Sequence, residues 1–395
     1  MILFLLLIPF ALILAYQAVV STYLAALAAA SFLYRPDRSQ ASKTHRIAVL
    51  IPAHNEEALI GRLLNSLAIV VYPADRFDVY VAADNCSDAT AEIARRHGAT
   101  VFERFDAASR GKGHALRFLM RQIDLDAYDA VFVVDADAVV SPNVLEAVGG
   151  GLDRDWSLIQ VYDGVLNRDD SPAAELRALA FDLHNRIRPM GQEVLGASVG
   201  LMGNGMAISS ALFHGALWDS FGLAEDIEAH ASLVAHGHRV HYVDHAHALA
   251  EMPSSQNQSE GQNQRWEAGR LEVARRHAPK LLVSALVHRS WTRLLASIEL
   301  MVAPQSAQAV LAISSLALAW LSGSGVLLGI ASYGLAAQVS YVALGLVRLR
   351  RGVSLRLLAH LPRYVVWKGF LYVRVLAGRR PHAWVRGHRA SPNVR

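Results

Sequence analysis

Two long stretches, one near each end of the chain, contain no charged side chain. Residues 1–34 have no Asp, Glu, Lys or Arg, and neither do residues 300–347. A helix that crosses a bilayer needs about 20 apolar residues. The first stretch therefore predicts one transmembrane helix and the second predicts two, which turn near Gly323-Ser324-Gly325. A cleaved signal peptide is the alternative for residues 1–34, but it would have a positively charged start and an apolar core of only about 7–15 residues.

Between these stretches, short apolar runs alternate with segments in which apolar residues recur at helical spacing. The apolar runs predict strands at residues 47–51, 77–83, 100–102, 130–135 and 158–161, and the helical patterns fall at residues 56–70, 89–97, 113–122 and 172–189. Strands that alternate with helices imply right-handed crossovers. The predicted fold class is therefore α/β, with a mostly parallel central sheet flanked by transmembrane and interfacial helices.

The same patterns divide the chain into six parts. In order, they are an N-terminal transmembrane helix (1–34), a polar linker (35–46), a soluble domain (47–280), an interfacial helix (281–303), two transmembrane helices (304–347) and a basic tail with an amphipathic helix (348–395). Basic side chains interspersed among apolar ones indicate that residues 281–303 and the tail helix lie in the membrane interface. Residues 254–264, rich in Ser, Gln and Asn, predict a mobile loop.

The excess of basic residues is confined to the tail. Residues 348–395 hold 12 Lys and Arg and no acidic residue, and removing those 12 from the total of 38 leaves fewer basic residues than the 34 acidic ones. The isoelectric point near 9.2 therefore indicates contact with anionic lipid head groups and not with nucleic acid. The positive-inside rule places residues 35–300 and the tail in the cytoplasm, so we expect a multi-pass protein of the inner (cytoplasmic) membrane.

Three polar clusters follow three of the predicted strands. They are Pro52-Ala53-His54-Asn55-Glu56-Glu57, Asp84-Asn85-Cys86-Ser87-Asp88 and Asp135-Ala136-Asp137. In a parallel sheet, ligands bind beyond the carboxyl ends of the strands, where these clusters would meet. A ligand that contacts all three would be fairly large and polar, such as a nucleotide.

The third cluster sets two carboxylates into an apolar run. Asp135 and Asp137 are two positions apart, so on an extended backbone they share a face. Burying both unpaired would be costly, and a cation would offset that cost. Carboxylate oxygens suit Mg²⁺ or Mn²⁺, and Mg²⁺ usually combines one or two carboxylates with substrate phosphates. The alternative is an Asp-rich turn after a buried strand.

Two further motifs lie downstream, Ala224-Glu225-Asp226 and Gln262-Asn263-Gln264-Arg265-Trp266. Taken in order with the three clusters, they resemble the motifs of the inverting family 2 glycosyltransferases, and most closely those of the membrane-embedded branch that includes cellulose, chitin and hyaluronan synthases and ceramide glucosyltransferase. The resemblance covers residues 47 to about 270 and implies a nucleotide-sugar-binding domain of the GT-A type. Ala224 replaces the Thr of the family's Thr-Glu-Asp motif, which leaves both carboxylates in place.

The resemblance implies that the first three clusters bind a UDP-sugar. Asp137, with Asp135 shared between nucleotide and metal, would hold Mg²⁺ or Mn²⁺ against the diphosphate. The pocket for the uracil and the ribose would be formed by Pro52, His54, Asn55, Glu56 and Asp84. A turn and a helix cap are the structural alternative for these loops.

The resemblance also implies roles for the downstream motifs. Asp226 matches the general base, supported by Glu225; the alternative is an ordinary acidic helix start. In the motif Gln262-x-x-Arg265-Trp266, the Arg can bind diphosphate oxygens and the Trp offers a flat face to a sugar ring; the alternative is a helix start with a buried Trp. Lys112 could add a phosphate contact or could be a solvated loop residue.

The predicted activity is transfer of a sugar from a UDP-sugar to a hydroxyl. The favoured acceptor is a growing polysaccharide, such as an exopolysaccharide or cell-wall glycan, and the alternative is a membrane lipid. Three membrane helices are few for a polymer channel, so the polysaccharide reading would need an export partner or a homo-oligomer. A non-catalytic membrane scaffold is the minor alternative, and it would require a broken metal or base site.

Overall fold

The computed structural model describes residues 2–36, 41–215, 225–252 and 256–352, and residues 362, 367 and 369 of the tail. For residues 2–7, 172–173, 213–215 and 256–265, it describes the backbone but not the side chains.

A single eight-stranded sheet forms the centre of the soluble domain. Numbered along the chain, its strands are β1 (Ile47–Ala53), β2 (Phe77–Asp84), β3 (Thr100–Arg104), β4 (Ala130–Val133), β5 (Ala138–Val140), β6 (Leu158–Val165), β7 (Met206–Ser209) and β8 (His241–Ala250). They lie side by side in the order β3-β2-β1-β4-β7-β6-β8-β5.

One half of the sheet is parallel throughout. β1 pairs in parallel with β2 and with β4, and β2 pairs in parallel with β3, so the carboxyl ends of these strands lie at one edge. β1 continues through Pro52 to Ala53, beyond its predicted end. The sheet accommodates Pro52, which has no N–H group, because β4 pairs only as far as Leu50 of β1.

The other half of the sheet is mixed. β7 is antiparallel to β4 and β6, whereas β8 is parallel to β6 and antiparallel to β5. Four of the seven strand pairings are therefore parallel. Because β7 runs against β4, the Gly-rich turn before β7 meets the carboxyl end of β4.

Helices cover both faces of the sheet. In the soluble domain they are α2 (Ile60–Ala68), α3 (Thr90–Arg96), α4 (Lys112–Met120), α5 (Val144–Leu152), α6 (Pro172–Asp182), α7 (Arg188–Val194) and α8 (Glu225–Ala235), with a π turn (Leu183–Ile187) between α6 and α7. Val49 and Ile51 of β1 pack with Leu63 of α2 on one face, whereas Leu50 packs with Leu116 of α4 on the other. Alternation along the strand thus divides the apolar side chains between two cores.

Strands β5, β7 and β8 were not predicted, and the structure also differs from the prediction at the end of β4 and at residues 254–264. β4 ends at Val133, because the chain then turns and the Ala138 N–H donates to the Asp135 carbonyl oxygen at 3.0 Å. The loop predicted at residues 254–264 is, from Gln256 onward, the start of the long helix α9 (Gln256–His288). Gln and Glu have good helix propensity, so this polar segment forms a helix although no apolar stripe marks it.

The apolar stretches form three helices. α1 (Ile2–Ala30) and α12 (Gly325–Leu349) belong to the segments of the described chain that are long and apolar enough to cross a bilayer. α11 (Gln305–Leu321) has only 17 residues, and it is bent by 76° from α10 (Trp291–Met301). The three predicted crossings are therefore two, or three if the bent pair α10–α11 is one span.

The interfacial helix predicted at residues 281–303 is two elements, not one. α9 ends at His288 and α10 begins at Trp291, because Arg289 adopts a left-handed conformation with φ of 50°. Leu286, Val287 and Trp291 are exposed around this break, which leaves an apolar surface suited to an interface. The predicted tail helix lies outside the described residues, apart from residues 362, 367 and 369.

The membrane helices are packed directly onto the soluble domain. Leu24 and Leu27 of α1, Ile187 of the π turn, Leu295 of α10 and Tyr341 of α12 share one buried cluster. Gly191 of α7 faces the backbone of Leu27, and a Cβ at this position would overlap the Leu27 carbonyl group. The absence of a side chain at Gly191 therefore permits a close approach of α1 and α7.

Candidate functional site

The loop after β1 and the loop after β2 are joined by a set of hydrogen bonds. The His54 Nδ1 lies 2.7 Å from the Asp84 carbonyl oxygen, and the Ser87 N–H donates to the Asn55 Oδ1 at 2.7 Å. Asn55 and Asn85 both adopt left-handed backbone conformations, with φ of 54° and 52°, which Asn tolerates better than most residues. The first two predicted clusters therefore form one surface.

The two glutamates of the loop after β1 extend this set of hydrogen bonds between the loops. The Glu56 N–H donates to the Thr90 Oγ1 at 2.8 Å. The Glu57 N–H donates to the Asp88 Oδ2 at 3.1 Å, and the Ala89 N–H donates back to the Glu57 Oε2 at 3.0 Å. Main-chain groups at the start of α3 are thus satisfied from the neighbouring loop.

Asp84 is buried at the end of β2 and is held by Arg104 of β3. The Arg104 Nη1 donates to the Asp84 Oδ1 at 2.6 Å, and its Nη2 donates to the Asp106 Oδ2 at 2.8 Å. Arg104 was not predicted as a site residue, although an Arg that ends a short apolar strand beside an Asp-containing loop was a usable signal. Pairing with Arg104 fixes the Asp84 carboxylate at the edge of the sheet.

The third cluster is anchored from two directions. The Asp135 N–H donates to the Asn204 Oδ1 at 3.1 Å. The ammonium group of Lys112, at the start of α4, contacts the Asp135 Oδ1 and donates to the Gly203 carbonyl oxygen at 2.6 Å. Of the two readings of Lys112, the solvated loop residue is therefore wrong. Asp137 lies half-buried two positions further along the same turn.

Asp226 lies at the same turn. A Cβ built on Gly203, whose φ is 79°, would lie 3.3 Å from the Asp226 Oδ2 and 3.4 Å from the Lys112 Nζ. Burial and the charge of Glu225 raise the pKa of Asp226 to about 7, and Lys112 acts in the opposite direction. Burial acts to lower the pKa of Lys112, but the charges of Asp135, Glu225 and Asp226 outweigh it and raise that pKa. The ammonium group thus links the third cluster to the candidate base.

Three buried polar residues that the sequence analysis missed hold the Gly203 turn. Gln160 of β6 donates to the Asn204 carbonyl oxygen at 2.7 Å and accepts from the Met202 N–H at 3.0 Å. Asn204 donates to the Asp163 Oδ1 of β6 at 2.8 Å. Polar residues at two buried positions of an apolar strand were the available signal, because such groups are normally hydrogen-bonded inside a protein.

The acidic residues at this turn fit a divalent cation. Burial, together with the charges of Asp135 and Asp137, raises the pKa of Asp163 well above its usual range, which favours a protonated Asp163. The negative charge that a cation would neutralise is therefore that of Asp135 and Asp137. Among the described residues, no cluster of three potential metal-ligating side chains exists. Asp135 and Asp137 would therefore supply two ligands, and substrate oxygens or water would complete the set, as is usual for Mg²⁺.

The last predicted motif lies in α9. Trp266 is 36% exposed and lies against Phe181 of α6, with ring centroids 6.2 Å apart. The alternative, a helix start with a buried Trp, differs from the structure, because Trp266 is partly exposed and α9 begins at Gln256, before the motif. Gln262 and Arg265 lie in the same helix, but their side chains are outside the described part of the structure.

The chain is similar to several characterised proteins. The family described as glycosyltransferase like family 2 matches residues 45–269. The chain is 27% identical over 191 residues to a beta-monoglucosyldiacylglycerol synthase of Trichormus variabilis, covering 46% of this chain and 40% of that protein. It is 34% identical over 108 residues to the protein of the same name from Synechocystis, covering 26% and 22%. It is 23% identical over 249 residues to glucomannan 4-beta-mannosyltransferase 7 of Arabidopsis thaliana, covering 60% and 45%. Each match spans less than half of the relative.

One solved structure resembles the chain over most of its length. It is the mannosyltransferase PcManGT from Pyrobaculum calidifontis in complex with GDP-Man and Mn²⁺, with a TM-score of 0.50 and 18% identity, covering 82% of this chain and 98% of that one. At this identity, the likeness establishes the fold. The predicted class, an α/β domain of the GT-A type, is thereby confirmed. The family match covers more than half of the residues, including every predicted motif from Pro52 to Trp266, and the chain therefore belongs to glycosyltransferase family 2.

Proposed function

We propose that the protein is a membrane-bound inverting glycosyltransferase that moves a sugar from a UDP-sugar to the hydroxyl group of an acceptor. One observation carries the proposal: Lys112 and Gly203 bring the candidate base, Asp226, to the turn that holds Asp135. A single displacement at an anomeric carbon requires a base that accepts the proton of the acceptor hydroxyl and a cation that binds the leaving diphosphate. Both are expected at this edge of the sheet.

The reaction follows from this arrangement. The Asp226 carboxylate accepts the proton of the acceptor hydroxyl as the hydroxyl oxygen attacks the anomeric carbon. The new C–O bond forms on the face opposite the UDP, the bond from the anomeric carbon to the UDP oxygen breaks, and the UDP leaves with the bonding electron pair. One displacement inverts the configuration of the sugar. A pKa of about 7 for Asp226 makes it a stronger base than an ordinary carboxylate.

Asp135 and Asp137 would hold Mg²⁺ or Mn²⁺, which when bound neutralises charge on the diphosphate. Lys112 supplies a fixed positive charge at the same turn. His54 and Asn55 follow β1, the neighbour of β4, and Asp84 ends β2, the strand beyond β1, so a nucleoside would extend towards them from that diphosphate. The complex of PcManGT contains GDP-Man and Mn²⁺, which supports a nucleotide-sugar donor with a divalent metal, whereas the uracil base is our own inference from the motifs.

We propose a membrane lipid as the first acceptor to test. Relatives from two organisms are named beta-monoglucosyldiacylglycerol synthase, and two or three membrane helices are few for a polymer channel. A growing polysaccharide is the second candidate, supported by the named activity of the Arabidopsis relative. That reaction would need an export partner or a second copy of the chain.

The decisive experiment uses the purified protein in lipid nanodiscs with Mn²⁺ and radiolabelled UDP-sugars. We expect UDP release and a labelled product that extracts into organic solvent. Asp226→Asn, which keeps the size of the side chain but removes the base, should lower kcat at least about a thousandfold, while Asp169→Asn, an exposed residue, should leave kcat unchanged. Equal rates in the native protein and Asp226→Asn would refute the base assignment, and a ladder of labelled polymers would favour the second acceptor.

A further inference from the structure

A continuous chain of buried polar contacts leads away from the Asp135 turn. The Asp135 N–H donates to the Asn204 Oδ1 at 3.1 Å, and the Asn204 Nδ2 donates to the Asp163 Oδ1 at 2.8 Å. The other oxygen of Asp163 accepts from the Asn185 Nδ2 at 3.1 Å. Asn204, Asp163 and Asn185 are 3%, 8% and 6% exposed, so solvent does not compete for these bonds.

The chain continues from Asn185 to helix α9. The amide nitrogen of Asn185 is used by Asp163, so its Oδ1 accepts from His184, and the two atoms are 2.7 Å apart. His184 therefore carries its proton on Nδ1, and its Nε2 accepts from the Arg270 Nη1 at 3.5 Å. Burial and the charges of Arg188 and Arg270 lower the pKa of His184 to about 3, which keeps the imidazole neutral and this direction of bonding fixed.

The middle of the chain is held by an irregular turn. His184 and Asn185 lie in the π turn Leu183–Ile187, a rare helical geometry that is frequently found at functional sites. The Tyr242 hydroxyl of β8 donates to the Asn185 carbonyl oxygen at 3.1 Å, and the Tyr341 hydroxyl of α12 donates to the Leu183 carbonyl oxygen at 2.8 Å. The sheet and a membrane helix thus fix the turn from opposite sides.

Arg270 and Trp266 lie four residues apart in α9, so they share one face of that helix. We propose that Asp163 and Asn185 are positioning residues that fix α9, and with it Trp266, relative to the Asp135 turn. This positioning role rests on the proposed function in one respect, which is that Trp266 is taken to contact the acceptor. The hydrogen bonds of this chain run from the Asp135 turn to α9, so it sets geometry on the acceptor side of the site.

Hydrogen exchange of the ligand-free protein in nanodiscs tests the connection directly. Arg270→Met removes the last donor without emptying a buried core position. We expect it to speed amide exchange at residues 200–206 and 134–138 roughly 2- to 30-fold, the range of coupling found along packed networks. Arg275→Met makes the same change at an exposed position of the same helix and should leave these segments unchanged. Arg270→Lys, which keeps a donor, should restore most of the protection.

Asn185→Leu breaks the chain in the middle and should speed exchange both at residues 200–206 and in α9 around residues 266–270. If Asn185→Leu fails to fold, the exchange measurement on Arg270→Met decides alone.

In turnover with UDP-sugar and Mn²⁺, Arg270→Met should lower kcat by a similar factor while UDP binding stays within about twofold of native. Unchanged exchange at residues 200–206 in Arg270→Met would overturn the proposal. Absence of UDP release by the native protein would contradict the proposed function instead. The exchange result would still decide the positioning role.

Discussion

The charge balance of the site depends on Lys112. Its ammonium group contacts the Asp135 carboxylate and the Gly203 carbonyl oxygen, and it lies in the field of Glu225 and Asp226. Without this cation, the carboxylates would repel one another more strongly and would bind protons more readily. Lys112 is thus the residue through which the metal side and the base side of the site influence each other.

The pH dependence of the reaction follows from the pKa of about 7 at Asp226. A general base must be ionised, so kcat/KM should be half-maximal near pH 7, approach its maximum above about pH 8 and fall about tenfold per unit below about pH 6. Lys112 lowers the pKa of Asp226, so Lys112→Met should move the midpoint to higher pH, whereas Lys112→Arg should keep it close to native. UDP release measured from pH 5 to 9 gives the midpoint. A midpoint near 4 in the native protein would contradict the assignment.

Metal dependence should be concentrated in Asp137. The Asp135 carboxylate contacts the Lys112 ammonium group, and in the motif Asp135 is expected to be shared between nucleotide and metal, whereas Asp137 is expected to bind the metal. Asp137→Ala should weaken Mn²⁺-dependent UDP binding at least about tenfold in calorimetry, because the loss of one charged ligand costs more than about 1.4 kcal/mol. Asp169→Ala, at an exposed position, is the matched control. Undiminished binding in Asp137→Ala would remove Asp137 from the metal site.

At the residue scale, the sequence predicted those residues that stand in short motifs with a recognisable spacing. Asp135, Asp137 and Asp226 stand in recognisable motifs, and the structure brings Asp135 and Asp226 to one turn. Asp163 and Asn204 could not be assigned in the same way, because their importance comes from mutual hydrogen bonds across strands. Contacts of this kind depend on tertiary packing, which no local pattern encodes.

Among the elements, the contact of α1 with α7 is the most sensitive to a single methyl group. A Cβ on Gly191 would overlap the Leu27 carbonyl group, whereas Gly329 of α12 has open space around its Cβ position. Gly191→Ala should therefore destabilise the protein by about 1–3 kcal/mol. Gly329→Ala should be neutral or stabilising by about 0.5–1 kcal/mol, because it lowers the entropy of the unfolded chain. The measurement is the midpoint of thermal unfolding in detergent. Equal midpoints for Gly191→Ala and Gly329→Ala would contradict the expected difference.

The elements that were predicted well are those in which a single pattern of apolar residues continues along the whole element. β1, β2 and α3 differ from their predicted bounds by no more than two residues, because apolar runs or helical spacing continue to their ends. α9 was missed where its first turns are polar on all sides, so no apolar stripe marks them. The break at Arg289 depends on the packing of α10 against α9, which the sequence alone does not reveal.

At the scale of the whole molecule, the charges on either side of the apolar helices predict the orientation. Arg348 at the end of α12 donates to the Ser31 carbonyl oxygen at 3.0 Å, so the adjacent ends of the two candidate membrane helices lie together. The linker and the start of the basic tail therefore leave the helices on one side. By the positive-inside rule, we propose that this side is the cytoplasm.

Cys86, the single cysteine of the chain, makes the orientation testable. A membrane-impermeant maleimide should label Cys86 in inside-out vesicles and not in right-side-out vesicles. In a Cys86→Ser background, Ser391→Cys should be labelled from the same side, since the domain and the tail are expected to face one compartment. Labelling of the two positions from opposite sides would mean that an odd number of crossings separates them.

The buried cluster shared by α1, the π turn, α10 and α12 has a consequence for biosynthesis. α1 leaves the ribosome first and α12 more than 290 residues later, so the surface of α1 around Leu24 and Leu27 stays uncovered while the domain between them is made. Closure of this cluster therefore waits until α12 has been made. A nascent chain of this protein should therefore need protection of α1, by the insertion machinery or by lipid, until α12 has been made.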